Sequence, residues 1–224
     1  MKKLYLSALL AAGFIQIAGC TSPWPDAPAK NSPLLGLQVN PETASDNQLS
    51  APKTKKIAWL PSVNSVQTES YGEKLQSTMQ ERSDYYAYHP ELSTHVLVAS
   101  RYANHNGFSA DAVAKLLSKH FAKVERVNKL EEVDSRYDYV AVIDVSYSTT
   151  PITPNSHPIS TAEVRVIFLD NKLRSVAEAS GQSVNTINSS MQLYDTHRQA
   201  LNNFESDFES KFPRSETKGK KQRL

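Results

Sequence analysis

The chain reads as an α+β protein in which a mixed, largely antiparallel sheet carries helices packed on one face. Three observations predict it. Residues 137–149 and 160–170 alternate apolar and polar side chains, the period of a strand with one buried face. Residues 109–121 and 188–212 place apolar side chains at the spacing of a helix with one buried stripe. Short continuous apolar runs at 56–61 and 94–99 have strand length and end in turn formers or polar residues.

Each element follows in order. Lys56-Ile57-Ala58-Trp59-Leu60-Pro61 is the first strand. Tyr71, Leu75 and Met79 recur every four residues and predict a helix over roughly 68–82, with Gly72 inside it at a cost of about 1 kcal/mol. Thr94 to Ala99 is the second strand. After the loop Asn104-His105-Asn106-Gly107, Ser109 is positioned as an N-cap and Asp111 favours the first turn. Val113, Leu116, Leu117, His120 and Phe121 then share a helix face. A short strand covers 124–127. The strongest strand follows, with Tyr137, Tyr139, Ala141, Ile143, Val145 and Tyr147 on one apolar face. Ser160 to Asp170 pairs with it across a long connection, and the Asp170-Asn171-Lys172 turn leads to a strand over 173–181, completing an antiparallel meander. Met191, Tyr194, Leu201, Phe204, Phe208 and Phe212 line the last helix, with Arg198 interrupting the stripe.

Ahead of this domain lie two segments of different character. Met1-Lys2-Lys3 precedes an apolar run from Leu4 to Ile17, which falls short of the roughly 20 residues a helix needs to span a bilayer. Ile17-Ala18-Gly19-Cys20 follows, with small residues before the sole cysteine of the chain. This arrangement resembles a bacterial lipoprotein signal, or lipobox, with Ile17 where Leu is commoner. The resemblance implies removal of residues 1–19 and acylation of Cys20 by two or three chains such as palmitate, which anchor firmly. Thr21 in place of Asp implies the outer membrane, facing the periplasm. Residues 20–55 read as a lipidated cysteine and flexible tether, since six of the twelve prolines are there and no apolar period is sustained. As a flexible coil it spans on the order of 35 Å, so the domain is expected to work away from its membrane. Leu34, Leu35, Leu37 and Val39 interrupt that polarity and allow a second reading, a short segment that docks on this domain or on a partner.

Residues 56–212 form the expected single domain, and 213–224 a basic, disordered tail. Loss of Lys2 and Lys3 with the signal takes the basic side chains from 25 to 23, against 23 acidic ones, so the mature chain has no global attraction to nucleic acid. Lys211, Arg214, Lys218, Lys220, Lys221 and Arg223 concentrate positive charge at the end, where it suits anionic lipid or acidic polymer. One cysteine permits no internal disulfide, so the fold rests on its core.

The sequence carries no catalytic signature, and no cofactor or metal is expected. The six histidines share no metal-ligand spacing, no Ser sits in a G-x-S-x-G elbow, and no glycine cluster cradles phosphate. Asp138 and Asp144 point the same way but stand about 20 Å apart along one strand, too far for paired carboxylate chemistry. His120 reads as a packed histidine. Binding has better candidates: the aromatic group Tyr85, Tyr86 and Tyr88 ahead of Pro90, and the stiff connection of residues 150–158 with Pro151, Pro154 and His157.

The element order is similar to that of several periplasmic lipoprotein modules. They are the auxiliary lipoproteins of ABC-type lipid transport, curli-secretion lipoproteins, lipoprotein activators of peptidoglycan synthases, and the amino-terminal domain of TolB. This likeness rests on topology and implies a non-catalytic accessory that binds a protein partner in envelope assembly or transport. A subunit of an outer-membrane secretion pore, with the 137–170 hairpin entering the bilayer, and a binder of lipid or another small apolar ligand are the alternatives.

Overall fold

The computed structural model describes residues 25–41, 49, 52–87, 108–150, 159–186 and 190–212, with backbone alone for 79, 80, 82–87 and 190–194. Its elements are β1 (Lys56–Pro61), α1 (Val63–Ala87), α2 (Ala110–Leu117), β2 (Lys123–Arg126), β3 (Tyr139–Thr149), β4 (Ile159–Leu169), β5 (Ser175–Thr186) and α3 (Ser190–Lys211). The sheet has the order β2-β1-β3-β4-β5. β1 runs parallel to β2 and β3, while β3, β4 and β5 form the antiparallel meander. The fold is therefore the α+β arrangement the sequence predicts. The expected strand at 94–99 lies outside the described residues.

One face of the sheet is covered by helices. Ala141, Ile143 and Val145 of β3 and Val164, Val166 and Phe168 of β4 pack beneath Val113 and Leu117 of α2 and Phe204 and Phe208 of α3. α2 begins where Ser109 Oγ accepts a hydrogen bond from the Ala112 N–H at 3.2 Å, the predicted cap. Along α3, Arg198 stays exposed and pairs with Asp195 at 2.7 Å, so the interruption in the stripe faces water. His120 is buried, with its ring 4.9 Å from that of Phe208.

The opposite face is not open, which corrects the expectation of a sheet covered on one side. Val140 and Val142 of β3, Ala58 and Leu60 of β1, and Ile167 and Leu169 of β4 form a second buried cluster with Val127, Leu130 and Tyr137. Leu34, Leu37 and Val39 pack against it. Residues 25–41 are thus no free tether but a strap laid across the sheet. Asn40 N–H donates to Leu173 O at 3.0 Å, forming a parallel bridge at Arg174 beside the β4–β5 turn. Farther on, Leu49 is buried in the helix-side cluster, so the chain passes from one face of the sheet to the other before β1. The polarity that suggested a flexible coil belongs to a segment that crosses the surface with only a few side chains, Leu34, Leu37 and Val39 among them, packed inward.

α1 also starts earlier than its thin apolar stripe predicts. Ser62 Oγ accepts from the Ser65 N–H at 3.0 Å, capping a first turn whose inward residues are polar and invisible to an apolar period. Tyr137 lies before β3, its hydroxyl donating to Glu125 at 2.9 Å.

Candidate functional site

α1 stands at the edge of β3 beyond the point where β1 ends, opposite Ile143. There the helix substitutes for a strand. Ser62 N–H donates to Ile143 O at 2.8 Å, and Ser65 Oγ donates to the same oxygen at 2.9 Å while accepting from Val145 N–H at 2.8 Å. The Ser62 backbone and the Ser65 side chain therefore serve backbone groups that a longer β1 would have paired.

On the strap side the same helix end holds a buried polar network. Asp144, 2% exposed, accepts from Ser62 Oγ and, at 2.9 Å, from Asn64 Nδ2. Asn64 in turn reads the backbone of the strap as a neighbouring strand would: its Oδ1 accepts from Asn31 N–H and its Nδ2 donates to Asn31 O, both at 2.9 Å. Lys30 completes the contact, with its ammonium 2.5 Å from Glu163 of β4. Burial raises the Asp144 carboxyl above its ordinary value; hydrogen bonds from Ser62 and Asn64 oppose that, Glu163 adds to it and Lys30 opposes it. Asp138, by contrast, sits among donors. Burial would raise its carboxyl, but the Lys56 N–H at 2.8 Å and the Lys55 ammonium at 3.0 Å hold it below the ordinary value. Asp144 in β3 and Asp138 just before it thus each have their own structural partners.

A carboxyl raised by folding contributes stability that is fully present below the unfolded value and is lost as pH rises through the folded one. Asn at 144 keeps an acceptor for Ser62 and Asn64 and never ionises. Asp144→Asn should therefore gain on the native protein as pH rises from about 4 to 8. Thermal unfolding of both proteins at the two pH values measures it, and a constant difference between them would count against the assignment.

The helix side holds a cleft of about 470 Å³ between α1 and α2. Trp59, Phe108 and Tyr147 form its aromatic lining, and Glu69 and Glu73, one turn apart on α1, its acidic wall. Arg126 lies over Trp59 with its guanidinium carbon 5.2 Å from the ring centre, and its Nη1 is 3.5 Å from Asp111. Gly72 lets Tyr147 approach, since an added Cβ would stand 2.5 Å from the phenol oxygen. Burial, with a smaller effect from Tyr71, pushes the Tyr147 phenol well above its ordinary value, so it stays a neutral donor. The cleft serines are committed elsewhere, Ser65 to β3 and Ser109 to the α2 cap. The cleft is thus equipped to bind an aromatic or cationic group.

Among the described residues, no three His, Cys, Asp or Glu are grouped so as to hold a metal ion. Nor is any described helix long and apolar enough to cross a membrane. Tyr85 and Tyr86 fall in the last turn of α1 rather than in a loop, because the helix runs to Ala87. Tyr88, Pro151, Pro154, His157, Cys20 and the tail 213–224 lie outside the described residues. The network of Asn31, Asn64 and Asp144 was missed by sequence reasoning, which weighed Asp144 only as half of a distant carboxylate pair. The only hint was the apolar spacing at Leu34, Leu37 and Val39, which raised docking as a second reading.

The fold and site define a small strapped α+β module with an aromatic and acidic cleft. No known protein family matches the chain, and no curated protein matches it. Among solved structures, the crystal structure of a DUF330 protein from Xanthomonas campestris is similar at a TM-score of 0.34 and 12% identity, over 76% of this chain and 89% of that one. A likeness of that degree assigns no function.

Proposed function

We propose that this chain is an envelope lipoprotein, held in the outer membrane by acyl chains on Cys20 and facing the periplasm. Its domain is a non-catalytic adaptor that binds a protein partner in envelope assembly or transport. The observation that carries this reading is the order of residues 2–20: paired lysines, an apolar run shorter than a membrane span, two small residues, then the sole cysteine. In support, Asp144, Asn64, Ser65 and Ser109 are engaged in holding structure, while the described lining of the cleft offers aromatic and acidic side chains to a partner. The basic tail suits anionic headgroups or an acidic polymer. The pore alternative is weakened because β3 from Val140 to Val145 is buried on both faces within the domain, leaving no strand face there for lipid.

Cys20→Ser is the direct test. The variant should lose incorporation of labelled palmitate and leave the membrane fraction nearly completely, since the thiol is the only acylation site in the mature chain. A variant that stays in the membrane and still takes up label would sink the anchor. Crosslinking in cells should then capture one dominant envelope protein with the native chain. Deleting residues 21–55 is uninformative for that purpose, because it removes the strap and Leu49 from the fold.

A further inference from the structure

The strap leaves little chain between the proposed anchor and the folded surface. Residues 30–41 are committed to the domain, from the Lys30–Glu163 pair and the Asn31–Asn64 bonds onward, so the leash is at most the stretch from Cys20 to Ala29, with a reach of about 31 Å when extended. That is less than the width of the domain itself, whose eleven-residue strands are about 36 Å long. A domain held so closely cannot tumble freely above the bilayer. It must present the side at which the strap departs.

That side is defined by the surroundings of residues 26–30. Asp26, Pro28 and Ala29 border a shallow depression with Gln67, Ser70 and Lys74 of α1. Ala27 to Lys30 also border a groove with Ser148 at the end of β3, Thr161 near the start of β4 and Gln182 toward the end of β5. The strap therefore departs at the end of the sheet where β3 finishes and β4 begins. At that end, among the described residues, the strap-side face of the sheet carries exposed apolar side chains. Ile159 is 45% exposed and Val184 56% exposed, although the same face is buried at Ile167 and Leu169. Val184 stands opposite Thr161 in the β4–β5 register and Ile159 is two residues from it, so both share the face that bears Glu163 and the strap.

We propose that this end of the sheet, centred on Ile159 and Val184, rests on the lipid surface of the bilayer that holds the Cys20 acyl chains, with the strap fixing the orientation. The proposal depends on acylation at Cys20. It reverses the expectation of a domain working at a distance: the adaptor cleft, on the helix side, is turned away from its own membrane and toward the periplasm. The lipid surface is favoured as occupant because a short leash departs beside the patch, and because two apolar side chains among hydroxyls suit the headgroup boundary.

The acylated protein offers a clean test, since Cys20 as a thioether leaves no other thiol. Val184→Cys and, independently, Ile159→Cys would be labelled with an environment-sensitive fluorophore in the full mature lipoprotein, reconstituted in phosphatidylethanolamine–phosphatidylglycerol vesicles with nitroxide-bearing lipid. Lys115→Cys on α2 serves as the distant control. Labels at 184 and 159 should be quenched on the order of twofold and the label at 115 hardly at all, because quenching requires contact with the acyl boundary. Inserting about 20 Gly and Ser residues between Thr21 and Ser22 lengthens the leash and should abolish the quenching. Intact mass of the same sample distinguishes the two levels of the argument. An unacylated Cys20 defeats the anchor itself, whereas an acylated protein whose three labels are equally unquenched overturns only the docked orientation. Quenching that survives the insertion overturns it too, because the short leash would not then be what places the face. A label at 184 that stays wet on vesicles but is covered by a protein in cells assigns the patch to a protein and overturns the proposal.

Discussion

Gly181→Ala should destabilise the domain by about 3 kcal/mol, a large effect for one methyl group. Gly181 lies in β5 opposite Val164, and α3 crosses directly above it. A Cβ there would meet the backbone of α3, at Phe204 N and Ala200 O, within the distance at which something must shift. Backbone cannot rotate aside as a side chain can, so the whole helix must lift. α3 carries Ala200, Phe204 and Phe208 into the main core, and lifting it loosens those contacts together. The gain in strand propensity from replacing glycine, up to about 1 kcal/mol, is too small to offset this. Urea denaturation reads the change directly: a midpoint unchanged from the native protein would mean that α3 does not sit so close.

Phe208→Ala should cost about 3–5 kcal/mol, a substantial part of the 5–15 kcal/mol that holds a typical domain. Phe208 is 1% exposed. Its ring centre lies 4.9 Å from those of His120 and Phe212, 5.9 Å from Phe168 and 6.0 Å from Phe121. It therefore joins α3 to the turn after α2 and to β4. Removing it opens a cavity whose walls belong to three separate elements, which cannot all collapse inward at once. Phe208→Leu should recover much of the loss by refilling the volume. Chemical denaturation of both variants checks the order, and equal stability of the alanine variant and the native protein would contradict the packing.

The helix-side core was legible in the sequence because local periodicity encodes it. Phe204, Phe208 and Phe212 recur every four residues, and Ala141, Ile143 and Val145 every two; each pattern fixes a face whatever lies opposite. Ser109 announced the start of α2 for the same reason, since an N-cap bonds to a residue three positions away. The network around Asp144 had no such signature. Ser62 and Asn64 reach it across about eighty positions of sequence, and Asn31 reaches Asn64 across another thirty-three, so nothing local marks any of them as partners. The start of α1 was hidden because its inward residues there, Asn64, Ser65 and Thr68, are polar.

By itself the sequence determined the α+β class, the antiparallel meander and the face of the sheet that the helices cover, because hydrophobic burial acts through short-range repeats that a linear reading detects. Only the tertiary structure decided what covers the other face. A strap held by three aliphatic side chains, an asparagine pair and an edge bridge has no period of its own. Its stability comes from surfaces assembled by residues far along the chain, and those surfaces exist only once the sheet has formed.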